Sequence, residues 1–213
     1  MIVRIGVAVL AAATLAGCTG SGGSTPSTPV TSTIVETTTA PAPPTAPVDT
    51  GPTTAASATS CPYAATEFVH ETLGMRLSRL TVLRSGGRVV GCRFYPLTHP
   101  TPQCDASCLQ GEHLPGPNQP VLEISTTRYP SADAAHNGFV RVADAGKNPQ
   151  QVELGGGIVG VCFQTDFYPK DRGADYACAT SKGSAALVVR SVDTVSAYNT
   201  KNITTAVLTK IPE

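Results

Sequence analysis

The chain has 213 residues, with 15 basic and 15 acidic side chains and a formal net charge of zero. It contains no tryptophan and no basic stripe. A balanced charge of this kind excludes binding that depends on a strongly basic surface, so no nucleic-acid partner is predicted.

Residues 1–17 predict a signal peptide of the lipoprotein type. A positive residue, Arg4, precedes an apolar run that ends in the motif Leu15-Ala16-Gly17-Cys18. The run is too short to cross roughly 30 Å of hydrocarbon as a mature helix. The motif resembles a bacterial lipobox, which implies fatty acyl groups on Cys18 and anchoring to the outer, extracytoplasmic face of the cell membrane. The alternative is an ordinary signal peptide whose cleavage site happens to contain a cysteine.

Residues 18–60 predict a disordered tether behind the lipidated Cys18. The segment is almost wholly Thr, Pro, Ser, Ala and Gly, without an aromatic residue, Lys or Arg. Such a composition cannot bury enough apolar surface to offset the entropy lost on ordering. The threonines are either O-glycosylated or bare, and the sequence does not distinguish the two.

Residues 61–213 predict one α+β domain, large enough to bury a core. We expect an antiparallel sheet with about three helices packed mainly on one face, stapled by three disulfides. The predicted elements are a helix from Pro62 to Gly74, a hairpin turning at Ser85-Gly86-Gly87, a strand at 121–129, a helix to Asp144 capped by Ser131, strands at about 157–166, 174–181 and 184–192, and a final helix capped by Asn199 or Thr200. The stretch at 96–120 carries six prolines and shows no periodicity, which predicts a long loop.

The cysteine count supports export. Of seven cysteines, six remain when Cys18 is set aside, and an even number in an exported chain predicts three disulfides. Cys162 and Cys178 lie at equal distances from a turn near Lys170, so a hairpin would place them opposite each other. The layout also favours pairing Cys61 with Cys92, and Cys104 with Cys108.

The loop offers a metal site as an alternative to the third disulfide. His99, Cys104, Cys108 and His113 follow the spacing H-x4-C-x3-C-x4-H, and two thiolates with two imidazoles are sufficient for tetrahedral zinc. Outside the cytoplasm the thiols are expected to be oxidised, so the disulfide is the preferred prediction and no metal or other cofactor is predicted.

No catalytic signature is present. Gly155, Gly157 and Gly160 match G-x-G-x-x-G, but the following residues predict a strand instead of the helix that a dinucleotide site requires. The sequence has no activated-serine motif, and neither His70 nor His136 is placed beside a nucleophile. The chain is therefore predicted not to be an enzyme.

Three features of the domain, together with the signal and tether, resemble those of small envelope lipoproteins of mycobacteria and related actinobacteria that carry a domain of unknown function. They are Cys61-Pro62-Tyr63, the sequence G-C-R-F-Y at 91–95, and the hairpin with Cys162 and Cys178. The resemblance implies a lipid-anchored, non-catalytic binding or sensor-like module for an envelope protein, glycan or lipid. The alternative function is a metal-binding protein or enzyme centred on His99–His113.

Overall fold

The fold is built on one antiparallel sheet. The computed structural model describes residues 46–48, 51–97, 118–165, 175–192 and 195–212. Within these residues eight strands pair in the order β1-β2-β3-β4-β8-β7-β6-β5. The elements are β1 (Thr54–Ala58), α1 (Thr66–Leu73), β2 (Leu77–Ser85), β3 (Arg88–Pro96), β4 (Leu122–Arg128), α2 (Ala132–Asp144), β5 (Lys147–Glu153), β6 (Val159–Thr165), β7 (Asp175–Lys182), β8 (Ala185–Ser191) and α3 (Ala197–Leu208).

The first strand corrects the expected start of the domain at residue 61. Residues 54–58 were expected in the tether, but they form β1 and pair with β2 along their whole length. The side chains of β1 are small and mostly exposed. Backbone hydrogen bonds to a partner strand therefore define this element, and the sequence carries no apolar alternation that would predict it.

The first helix starts later than expected. It begins at Thr66 and not near Pro62, because the preceding residues are held by other contacts. Cys61 is bonded to Cys92, and the hydroxyl of Tyr63 donates to the carbonyl of Val89, 2.6 Å away. The predicted end is confirmed: Gly74 has φ 64°, the left-handed conformation that glycine adopts at helix ends.

The hairpin of β2 and β3 and the helix α2 agree with prediction. Gly86 and Gly87 have φ of 56° and 80°, which suits the tight turn between β2 and β3. Ser131 caps α2, its side chain accepting a hydrogen bond from the backbone N–H of Ala134 at 3.1 Å. The three strands expected after α2 are β6, β7 and β8.

An additional edge strand, β5, lies between α2 and these three strands. Its sequence is polar and includes Pro149, and its pairing with β6 is irregular between Lys147 and Gln150. An edge strand tolerates both features, because half of its backbone groups face away from the sheet. The glycines at 155–157, all with positive φ, then form the turn into β6.

The last helix begins before the predicted cap. Ser196 is the N-cap residue, and its side chain accepts from the backbone N–H of Asn199 at 3.1 Å. Thr200, which was one of the expected caps, is instead fully buried, with its hydroxyl 2.6 Å from that of Ser191 on β8. The helix is therefore anchored to the sheet by a buried hydroxyl pair.

The helices were expected mainly on one face of the sheet; α1 and α3 share one face, and α2 lies on the other. Alternate residues of β8 divide between two apolar cores. Leu187 and Val189 join the core that contains residues of α1 and α3, and this side is called here the α3 face. Ala186 and Val188 join the core that contains Ala135 and other residues of α2, and this side is the α2 face.

Two of the three predicted disulfides lie within the described residues, and both are confirmed. Cys61 is bonded to Cys92 of β3, which ties the chain entering α1 to an interior strand. Cys162 and Cys178 are bonded and stand directly opposite each other on β6 and β7. Cys104 and Cys108 lie outside the described residues. Among the described residues, no helix is long and apolar enough to cross a membrane.

Candidate functional site

A row of charged side chains crosses the α2 face of the sheet. Arg93 on β3 is paired in register with Glu123 on β4, and Glu123 is paired with Arg190 on β8. All three follow the period of two that places alternate residues of a strand on one face. Their chain neighbours Cys92, Ile124 and Val189 are fully buried on the α3 face.

Both oxygens of Glu123 are engaged by arginine. Arg93 Nε donates to Oε2 at 2.6 Å, and Arg190 Nη1 donates to Oε1 at 3.3 Å. The Glu123 side chain is 7% exposed, whereas the arginines are 37% and 25% exposed. The carboxylate is thus shielded from water, while each guanidinium remains partly exposed to solvent. We call these three residues the Arg–Glu–Arg row; its net charge is one positive.

Thr81 extends the row toward the edge of the sheet. It is paired with Arg93 on the neighbouring strand and is itself 9% exposed. Within the part of the chain that the structure describes, its Oγ1 is a buried side-chain oxygen without a hydrogen-bond partner. A buried hydroxyl left in this state costs about 1–3 kcal/mol.

A polar cavity of about 290 Å³ opens at one end of the row. Arg93 and Glu123 line it together with hydroxyl groups, and Leu83 contributes an apolar patch. The hydroxyl-bearing residues are Thr53, Ser85, Ser125, Thr126 and Thr127. We call this space the hydroxyl cavity.

The chain leading into β1 contributes to the hydroxyl cavity. Val48 donates its backbone N–H to the carbonyl of Arg128 at 2.9 Å, at the end of β4. Ser85 donates its hydroxyl to the carbonyl of Gly51 at 3.1 Å, at the end of β2. These two bonds hold the chain that carries Thr53, a lining residue of the cavity, against β4 and β2.

A second concave space lies between α2 and the sheet, with Arg190 on its wall. It has a volume of about 390 Å³, within the usual size range of small-molecule pockets. Arg141 of α2 provides a second guanidinium, and Thr165 a hydroxyl. The remaining lining is Tyr129, Gly138, Val142, Ala145, Gly146 and Phe163. We call this space the α2 groove.

Two glycines set the shape of the α2 groove. A Cβ on Gly138 would lie 2.4 Å from the ring of Tyr129, and a Cβ on Gly146 would lie 2.1 Å from the ring of Phe163. Only glycine lets the aromatic rings approach the helix and its C-terminal end this closely. The two rings thereby form part of the groove wall.

The residues singled out in the sequence fall elsewhere. Cys18, His99, Cys104, Cys108 and His113 lie outside the described residues. His70 is half-buried at the end of α1, with Nδ1 2.7 Å from the carbonyl oxygen of Met75, and His136 packs edge-on against Phe139. Among the described residues, no group of three or more His, Cys, Asp or Glu side chains is placed to hold a metal ion.

The Arg–Glu–Arg row was not predicted from the sequence. The available signal was a charged residue next to apolar ones in each of three strands: Arg93 between Cys92 and Phe94, Glu123 between Leu122 and Ile124, and Arg190 after Val189. That signal predicts where each side chain points. It does not predict that the three strands are neighbours, because β4 pairs with β8 across a long stretch of sequence.

The comparisons with known proteins do not assign this chain to a family. No family model matches the sequence, and no curated protein matches it. Among solved structures, the extracellular domain of PknH from Mycobacterium tuberculosis is similar at 10% identity and a TM-score of 0.27. The match covers 76% of this chain and 78% of that chain. A TM-score this low does not establish a shared fold.

Proposed function

We propose that this chain is a lipid-anchored lipoprotein of the bacterial cell envelope, and that its sheet domain is a non-catalytic binding module. The lipobox at Leu15–Cys18 supports the anchor, and the two disulfides suit an oxidising compartment outside the cytoplasm. The tether predicted after Cys18 would hold the domain away from the membrane surface.

The observation that carries the binding role is the Arg–Glu–Arg row between two concave spaces. Glu123 has both oxygens occupied by guanidinium groups, and these contacts hold Arg93 and Arg190 in position. A fixed pair of cations beside hydroxyl groups and apolar walls is an arrangement for recognition. The α2 face is accordingly the proposed binding surface, for a protein, glycan or lipid of the envelope.

Anchoring is tested by membrane fractionation of an actinobacterial host that expresses the full chain. The wild type should sediment with membranes, and Cys18→Ala should be released or remain unprocessed. Thr19→Ala, a change one residue further on, should behave as the wild type. Unchanged membrane retention of Cys18→Ala would contradict lipid anchoring through this residue.

Binding through the α2 face is tested by photo-crosslinking in intact cells. A photoreactive amino acid replaces Thr127 in the hydroxyl cavity or, as the control, Tyr198 on α3, which is 69% exposed. We expect a discrete adduct from position 127 and none from position 198. Equal labelling from both positions, or none from either, would contradict a binding role for this face.

A further inference from the structure

We propose that the α2 groove binds a small organic anion with an apolar body, a carboxylate or phosphate monoester on an aromatic or short alkyl group. This inference rests on the proposed binding function and assigns the ligand class of one of its two cavities. It follows from the shape, the lining and the charges of the groove.

The apolar part of the ligand has a matching wall. Phe163 and Tyr129 are nearly buried but contribute to the groove surface, and Val142 is half-buried there. Because Gly138 and Gly146 carry no Cβ, the rings of Tyr129 and Phe163 pack directly against α2 and the residues that follow it. Flat apolar walls suit an aromatic ring or a compact alkyl group, which gains by leaving water.

The charged part of the ligand has two guanidinium groups to bind. Arg190 lines the groove from β8, where its Nη1 contact with Glu123 restrains its orientation. Arg141 lines it from α2 and is exposed; among the described residues its guanidinium has no ion-pair or hydrogen-bond partner. Guanidinium groups bind carboxylate and phosphate oxygens with paired N–H donors.

The charge of the groove favours an anion, since its lining among the described residues contains two arginines and no acidic residue. The hydroxyl cavity differs in this respect, because Glu123 lines it beside Arg93 and offsets the charge of that arginine. Its walls are also mainly hydroxyl-bearing. The α2 groove is therefore the better fit for an amphiphilic anion.

The test is a calorimetric titration with 2-naphthoate and with its neutral analogue 2-naphthalenemethanol. The full chain carries Cys18→Ala throughout, which keeps acyl chains out of the titration. We expect 2-naphthoate to bind with a Kd on the order of 0.1 mM, as suits a ligand of this size. The neutral analogue should bind about tenfold more weakly or not measurably, since it forms no charge-assisted hydrogen bond.

Variants then locate the site. Arg141→Met keeps the aliphatic stem and should weaken 2-naphthoate binding about tenfold while leaving the weak binding of the neutral analogue unchanged. Arg141→Lys should recover part of the loss, because it restores charge but not the paired donors. Lys210→Met removes one positive charge from an exposed position beyond α3 and should leave both ligands unaffected.

Three outcomes would overturn the inference: equal affinity for the two ligands, an Arg141→Met effect no larger than that of Lys210→Met, or no heat of binding at millimolar 2-naphthoate. Each of these outcomes would contradict the proposed anion site and nothing else in the proposed function. The anchoring and crosslinking experiments have separate readouts, so they would still decide the proposed function.

Discussion

Arg93 and Glu123 stand directly opposite each other on β3 and β4, with Nε and Oε2 2.6 Å apart. Arg190 reaches the other oxygen of the same carboxylate from β8. One acidic side chain thus joins three neighbouring strands and separates two cationic groups that would otherwise repel each other. The stability of this part of the sheet and the position of both arginines depend on Glu123.

Glu123→Gln should destabilise the domain by about 2 kcal/mol. Loss of one partner from a buried ion pair costs about 3–5 kcal/mol, and the partial exposure of Arg93 and Arg190 reduces that cost. Urea unfolding measures the change. Glu71→Gln, on the exposed side of α1, is the matched control and should stay within about 0.5 kcal/mol of the wild type. Equal effects of the two changes would show that the row contributes no stability.

Thr81→Val should stabilise the domain by about 1 kcal/mol. The substitution keeps the branched shape and removes a buried hydroxyl that has no partner in the described residues. Thr127→Val, at a half-buried position that lines the hydroxyl cavity, should give no comparable gain. Parallel unfolding curves provide the measurement, and a loss of stability in Thr81→Val would show that its hydroxyl is bonded.

Gly146→Ala should destabilise the domain by about 1–3 kcal/mol, the usual cost of overpacking. The new Cβ would lie within 2.9 Å of Phe163 Cβ, which cannot move away without shifting β6. Gly51→Ala is the control, since its Cβ would meet Ser85 Oγ at an ordinary 3.4 Å. Thermal unfolding should give a lower melting temperature for Gly146→Ala than for Gly51→Ala. Similar melting temperatures would show that the α2 groove is loosely packed beside Gly146.

Removal of either described disulfide should lower stability, and the longer loop should cost more. The sequence separations are 31 residues for Cys61–Cys92 and 16 for Cys162–Cys178. The chain-entropy relation then gives losses of about 4 and about 3 kcal/mol for the two double Cys→Ala variants. Denaturant titration under non-reducing conditions measures both. A smaller loss from the 61–92 pair would mean that native-state contacts, and not loop closure, dominate.

Cys104 and Cys108 are expected to form the third disulfide. Intact mass of the full chain without reductant should show the loss of six hydrogens, and metal analysis should show no stoichiometric zinc. Peptide mapping should recover the 104–108 bond. Free thiols at these positions together with bound zinc would instead support the metal site formed with His99 and His113.

The parts of the fold that could be predicted from the sequence are those encoded by neighbouring residues. The Ser131 cap, the Gly74 helix end and the opposed cysteines of β6 and β7 each depend on a short stretch of chain. The edge strands β1 and β5 were missed because their side chains are small or polar and show no alternation.

The positions of the helices and of the candidate site could not be predicted without the order of the strands in the sheet. Periodicity indicates that α2 has an apolar side, but it does not indicate which face of the sheet that side covers. Arg93, Glu123 and Arg190 meet only because β8 returns to lie beside β4. Long-range pairing of this kind leaves little trace in a single sequence.

The bond between Cys61 and Cys92 has a mechanical consequence. Tension on the chain ahead of Val48 would load the hydrogen bonds of Val48 and Gly51 and then β1, an edge strand whose small side chains are mostly exposed. Peeling could then proceed only to Cys61, where the covalent link passes the force to β3 in the interior of the sheet. The disulfide therefore limits mechanical unfolding to the residues ahead of Cys61. The helix α1, which lies between the two bonded cysteines, carries no force.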